Sequence, residues 1–295
     1  MTAAPAAARA RETAGRPPGR SPARVVGKVI RQATLLAAGL TALFPIYFMT
    51  ATALKGQEEY VDDKWGLPWP LAWGNFGDAV GGGDFAGWFS NSAIFTIGSV
   101  VLSTLIAALA AFAIARMRFR GRDALLTVNV ALMVVPPVVM IIPLFVLFTQ
   151  LELVSTYQGV ILIYAGLITP FSVYMLTNFF RSIPRELIES ALTDGASHLR
   201  VLVQIVAPLS LPALVTLVVV NSLFVWNELL IALVFLPEDE LKTLMVGLTV
   251  FRSRYNLDVP VTMAGMLLAA LPMVLLYVFG QRFFIRGLTA GAVKG

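Results

Sequence analysis

The amino-acid sequence predicts an all-α membrane protein with six transmembrane helices and a cytoplasmic helix-turn-helix loop. Three observations carry this expectation. Only 13% of the 295 residues are charged and 58% are hydrophobic, with a mean hydropathy of +0.80. A soluble domain usually carries about 25% charge, so this chain has too little polar surface to cover a globule in water. The apolar residues are also gathered into six long blocks, as a hydrocarbon core of roughly 20 helical residues in thickness selects. Finally, lysine and arginine fall mainly on one side of those blocks.

Several function classes fall away at once. The pI near 9.7 does not call for nucleic acid, because the basic residues sit between apolar blocks where topology accounts for them. There is no cysteine, hence no disulfide, thiol chemistry or cysteine-ligated metal. The single histidine, His198, argues against a histidine metal site or catalytic triad.

Along the chain, Met1 to Ala23 is rich in Ala, Pro, Arg and Gly and lacks large apolar side chains, so residues 1–28 are expected to form a disordered cytoplasmic tail. Its arginines resemble a transit peptide, and Ala51-Thr52-Ala53 resembles a signal-peptidase site. The apolar run Ala33–Thr52 is about twice the length of a signal h-region, so cleavage is not expected. A transmembrane domain then fills 29–295, with blocks at Ile30–Leu54, Phe89–Ala115, Leu125–Phe148, Tyr157–Phe180, Leu211–Leu236 and Val261–Phe284. Each is expected to be a helix, because a helix satisfies its own backbone in lipid. Pro45, Pro136-Pro137, Pro143, Pro170, Pro212 and Pro272 fall at points where kinks are expected.

Seventeen of the 22 Lys and Arg residues lie on the side of the termini, including Arg116, Arg118, Arg120 and Arg122 between the second and third blocks. Both termini are therefore expected in the cytoplasm. The first outer connection is acidic (Glu58, Glu59, Asp62, Asp63, Asp78, Asp84) and carries Trp65, Trp69, Trp73 and Trp88. Interfacial anchoring and a docking surface for an outer partner both fit it.

The connection between the fourth and fifth blocks, about residues 181–210, has a pattern of its own. Ser182 can cap a helix and Pro184 suits its first turn. Leu187, Ile188, Ala191 and Leu192 share one face; Arg185, Glu186, Glu189 and Ser190 share the other. Asp194-Gly195 ends the helix, with Gly195 suited to a left-handed position. Ser197 can cap a second helix running through Val201, Leu202 and Ile205 to Pro208. An ordinary amphipathic connection at the membrane surface would show the same periodicity.

The residue order resembles the EAA loop of ABC importer permeases: Glu189, Ser190 and Ala191, then Gly195, then Ile205, Ala207 and Pro208. Ser190 and Ala207 depart from the Ala and Leu of the family pattern. Both are small and uncharged, so the helix-turn-helix shape is expected to hold. The ending Arg286 to Gly295, and Trp226-Asn227-Glu228 in the fifth block, resemble the maltose-type carbohydrate permeases. The resemblance covers about Ile30 to Gly295.

It implies a permease subunit of the bacterial cytoplasmic membrane that translocates a carbohydrate. The chain has no G-x-x-x-x-G-K-[ST] phosphate loop, so ATP and Mg would be bound by a partner ATPase, with no cofactor in this chain. The implied partners are a second, homologous permease, a dimeric ATP-binding subunit, an extracytoplasmic sugar-binding protein and membrane lipid, but no nucleic acid. Glu186, Glu189, Ser190, Ala191, Asp194, Gly195, Ala196, Ile205 and Pro208 would couple to the ATPase. Gly291, Lys294 and Gly295 of the C-terminal tail would reach it too.

A membrane enzyme would need converging acid–base or metal residues, and Glu228 is the one clearly intramembrane charge. It could instead serve a proton-coupled carrier, or hold the bundle together by a hydrogen bond. For a sugar path the fifth block offers Asn221, Asn227 and Glu228. Asn221 and Glu228 lie two helical turns apart, on one face if the helix is continuous, with Asn227 at its edge. Trp226 points elsewhere, toward another helix or lipid.

Overall fold

A computed structural model of the chain describes residues 22–254 and 258–292. All its regular structure among these residues is helical, without strands, as the composition predicts. Among the described residues, four helices are long and apolar enough to cross a membrane, or up to six if each of two bent pairs is one span. The chain divides into two compact units, Met1–Ala51 and Thr52–Gly295.

The first unit holds most of helix α1 (Pro22–Ala53), which carries Pro45 within it. Of the tail expected over residues 1–28, residues 1–21 lie outside the described residues, and the remainder begins α1. The hydroxyls of α1 turn back on their own helix: Thr34, Thr41 and Thr50 donate to Ile30, Ala37 and Ile46 O at 3.0, 2.9 and 2.8 Å. This leaves no hydroxyl of the three unsatisfied in lipid.

In the second unit, two short helices, α2 (Gln57–Asp62) and α3 (Gly74–Gly81), fill the first connection. The block pattern alone does not announce them. Polar side chains hold that connection in shape. Lys55, 1% exposed, donates through Nζ to Asp63 O, and Asn75 Nδ2 donates to Ala53 O and Lys55 O. The Asp63 carboxylate accepts from the backbone N–H of Trp65 and Gly66, which holds its pKa below the usual carboxylate value. The four tryptophans separate: Trp65, Trp69 and Trp73 are exposed, whereas Trp88 is buried between Gly83 and Gly247. A Cβ on Gly247 would collide with the Trp88 ring, so the backbone at 247 approaches Trp88 only because the position is glycine.

The central pair is α4 (Phe85–Arg116) and α7 (Tyr157–Ser182). Hydroxyls knit them together. Thr169 Oγ1 donates to Ser103 Oγ at 3.0 Å, and Ser103 and Ser172 Oγ lie 3.3 Å apart. Small hydroxyl residues let helices approach closely and bond across the seam in lipid.

Two of the predicted spans are not single helices. The third breaks into α5 (Arg122–Leu132) and α6 (Pro137–Gln150), bent by 99°. Pro136-Pro137 explains this: each proline lacks an N–H and disfavours helical backbone in the residue before it, while Pro137 suits the first turn of a new helix. The fifth, expected as one helix over Leu211–Leu236, consists of α11 (Leu211–Asn227) and α12 (Leu230–Phe235), parted at Glu228 and Leu229. After α13 (Leu244–Arg254), the last helix, α14 (Val259–Ala292), continues beyond Phe284, where the apolar block ends.

Candidate functional site: the loop before the fifth span

Helix α7 runs through Ser182, whose Oγ donates to Phe179 O at 2.7 Å. Ser182 therefore closes α7 rather than capping the next helix, as the sequence pattern suggests. The cap position belongs to Pro184, which offers no side-chain bond. The loose carbonyls at the end of α7 find another partner. Arg116, the last residue of α4, donates Nη2 to Phe180 O and Ile183 O. A helix C-terminus needs such donors, and a cation also complements its dipole.

Helix α8 (Arg185–Thr193) is amphipathic, but its buried face is narrower than expected. Ile188 is 5% exposed and Ala191 and Leu192 pack against the same core, whereas Leu187 is 47% exposed. At its end, Gly195 N donates to Leu192 O at 3.1 Å and Ala196 N to Ala191 O at 3.0 Å. Gly195 has φ +85°, and this bond pair is the left-handed Schellman ending that the Asp194-Gly195 pattern predicts. Ser197 Oγ then accepts from Arg200 N at 3.3 Å, starting α9 (His198–Val201) as expected.

The second helix is not uniform. A π-helical turn, Leu202–Val206, separates α9 from α10 (Ala207–Leu209). Pro208 has no N–H to return to Gln204 O, which loosens the ladder there. The pair then bends by 80° into α11.

The inward side of this loop forms one core with three spans. Ile188, Val201, Leu202 and Val206 pack with Ala107, Ala111 and Phe112 of α4, Val173, Leu176 and Phe180 of α7, and Ala213 and Leu217 of α11. Close-packed interiors transmit displacement rather than absorb it. A push on α8 therefore loads α4, α7 and α11 together. The outward side is mixed: Glu186, Glu189, Ser190, Asp194 and Gly195 are exposed, and so are the apolar Leu187, Leu199 and Val203. Ala191, Ala196 and Ile205 are partly buried, so they join the two sides, and Pro208 is exposed.

The three polar residues of the fifth span do not share one face, because the helix ends at Asn227. Glu228 is extended (ψ 126°), and its carboxylate turns onto the start of α12. It accepts from Leu230 N at 2.9 Å, from Ile231 N at 3.0 and 3.1 Å, and from Ala232 N at 3.3 Å. Tyr164 Oη of α7 donates to it at 2.9 Å. Asn221, 2% exposed, donates to Ser172 Oγ at 2.9 Å inside the bundle. Asn227 lies on a cavity of ≈ 460 Å³ with Met245, Leu248, Thr249, Met266, Ala269 and Ala270. Trp226 is buried, donating Nε1 to Ala269 O at 3.0 Å with its ring edge-on to Phe89.

Sequence reasoning missed Arg116 as a cap and Tyr164 as the partner of Glu228. For Tyr164 a signal existed, since an intramembrane carboxylate needs a donor and Tyr164 is a phenol within a span. For Arg116 there was none, because an arginine at a helix end reads equally well as a topology signal. In the C-terminal tail, Gly291 is within α14, while Lys294 and Gly295 lie outside the described residues.

Comparison with known proteins agrees with this architecture. Residues 92–286 match the family model described as "Binding-protein-dependent transport system inner membrane component". The chain is 33% identical over 271 residues to the diacetylchitobiose uptake system permease protein DasC of Streptomyces coelicolor, covering 91% of this chain and 98% of that one. It is likewise 33% identical over 271 residues to the melibiose/raffinose/stachyose import permease protein MelC of Bacillus subtilis, with 91% and 98% covered. Its fold resembles a chain in the crystal structure of a bacterial ABC transporter involved in import of the acidic polysaccharide alginate. That likeness has a TM-score of 0.81 at 23% identity, over 91% of this chain and 100% of the other. The chain belongs to the inner membrane components of binding-protein-dependent transport systems, and is a transport subunit rather than an enzyme.

Proposed function

We propose that this subunit imports a carbohydrate, driven by ATP that a separate dimeric ATPase binds with Mg and hydrolyses. Relatives named for diacetylchitobiose and for melibiose, raffinose and stachyose support the substrate class. The observation that carries the mechanism is the two-sided loop 183–210. Its exposed side, polar residues interspersed with Leu187, Leu199 and Val203, is open to a partner, and its buried side is built into the core of α4, α7 and α11. In this reading Glu186, Glu189, Ser190, Asp194 and Gly195 face a groove of the ATPase on the cytoplasmic side. Ala191, Ala196, Ile205 and Pro208 hold the two short helices at their angle. Closure of the ATPase then tilts three spans as one body, a rigid-body switch.

The remaining partners are a homologous second permease and an extracytoplasmic sugar-binding protein, with both termini of this chain in the cytoplasm. The residues before α1 act as a cytoplasmic tail, and α1 onward as the transmembrane domain. Asn227, on its cavity, contacts sugar hydroxyls, while Asn221 and Glu228 support the bundle beside that path.

Reconstitution tests the whole reading. The complex co-purified with this chain, in liposomes with ATP inside, takes up the sugar that its binding protein carries, and Asn227→Ala lowers apparent sugar affinity. Uptake that follows an ion gradient and ignores ATP would instead favour a carrier using Glu228. The tail is tested separately. Deleting Ala290 to Gly295 alters stimulation of the ATPase by the loaded binding protein while insertion is unchanged. Equal stimulation with and without the tail would mean that Gly291, Lys294 and Gly295 do not reach the ATPase.

A further inference from the structure

We propose that the pocket at the turn between α4 and α5, framed by Arg118, Arg122 and the start of α5, holds the phosphodiester headgroup of an anionic phospholipid. Four arginines occur in and beside this turn, and of these Arg118 and Arg122 line the pocket. Arg116 is committed to the carbonyls of Phe180 and Ile183. Among the described residues Arg118 makes no ion pair, and the one ion pair of Arg122 runs through Nε to Asp123 at 3.1 Å. Two guanidinium groups against one carboxylate leave the pocket net positive, and arginine forks match phosphate geometry.

The pocket is a cavity of ≈ 410 Å³ lined by Arg118, Phe119, Gly121, Arg122, Asp123 and Ala124. Gly121 stands at the cap position of α5 with φ +87° and has no side chain to offer the first-turn N–H groups. Those donors point where an anion would sit. The adjoining surface is apolar. Phe119 is 40% exposed, and Leu125, Val128 and Leu132 are 55%, 58% and 54% exposed. The last three recur at helical spacing, so they form one stripe leading away from the pocket along α5. A charged cradle at the head of an apolar stripe fits a lipid, with its phosphate in the pocket and its acyl chains along α5. Free phosphate would engage the cradle alone.

The test uses the assembled transporter in phosphatidylcholine bilayers doped with spin-labelled phosphatidylglycerol. The motionally restricted fraction reports lipid held at the protein. Arg118→Gln/Arg122→Gln should cut the preference for phosphatidylglycerol over phosphatidylcholine, on the order of five-fold per arginine removed. A charge-matched control, Arg181→Gln/Arg200→Gln, should leave that preference nearly intact. An equal loss in both variants would mean a diffuse surface field and no site. Displacement of the labelled lipid by millimolar inorganic phosphate would mean an anion site rather than a lipid site. Val128→Ser, which breaks the stripe and leaves both arginines in place, should weaken lipid retention; unchanged retention in that variant would overturn the acyl-chain half of the proposal.

Discussion

Gly195→Val should cut coupled transport by about ten-fold or more while the protein still inserts and folds. At φ +85° an L-residue pays a steric cost of about 1–2 kcal/mol, more when β-branched. The space itself is open, with nothing within 4 Å of a Cβ placed there, so the backbone angle alone is under test. Relieving the strain rotates the turn and breaks the bonds from Gly195 N and Ala196 N that fix α8 against α9. Since every 1.4 kcal/mol is a factor of about ten, loss of transport on the order of ten-fold or more follows. Basal ATPase should persist without responding to the binding protein. Gly195→Asn is the internal control, because asparagine visits the left-handed region, and it should retain most activity. Equal transport by the valine and asparagine variants would remove the turn from the coupling path.

Glu228→Ala should be strongly destabilising, although Glu228 is not part of the apolar core. The carboxylate satisfies three backbone N–H groups at the start of α12 and the Tyr164 hydroxyl. Its loss strands the donors of the buried Ile231, Ala232 and Tyr164, at about 1–3 kcal/mol for each group left unpaired. With partial relaxation, roughly 2–4 kcal/mol is expected, read as a lower thermal midpoint of the solubilised complex. Glu228→Gln keeps an acceptor oxygen and should recover about half of that. Tyr164→Phe removes one bond and should cost about 1 kcal/mol, less than additively with Glu228→Ala. If Glu228→Ala leaves the midpoint unchanged but stops uptake, the carboxylate acts on the transported species and not on the break between α11 and α12.

Much of the loop was legible because its signals are local. The left-handed Gly195, the Ser197 cap and the burial of Ile188, Ala191 and Leu192 each follow from residues within one or two turns. Ser182 and Leu187 were misplaced for the opposite reason. Ser182 has a helical neighbour on either side, and only the continuation of α7 decides which one it serves. Leu187 lies at the edge of an apolar arc whose width is set by how α8 seats on α4, α7 and α11.

The sequence by itself determined that this chain is an all-helical membrane protein, where its apolar blocks lie, and that one connection is a helix-turn-helix. Those properties depend on the amount and period of apolar side chains, on proline and glycine, and on caps, all of which act over a few residues. Only the tertiary structure decided that the fifth span parts at Glu228. No proline or glycine marks that break. A helix gives up backbone bonds there because a carboxylate can replace them, with Tyr164, 64 residues away, completing its shell. Long-range hydrogen bonds of this kind leave no period in the sequence, so where the polar groups of the bundle meet is settled by packing.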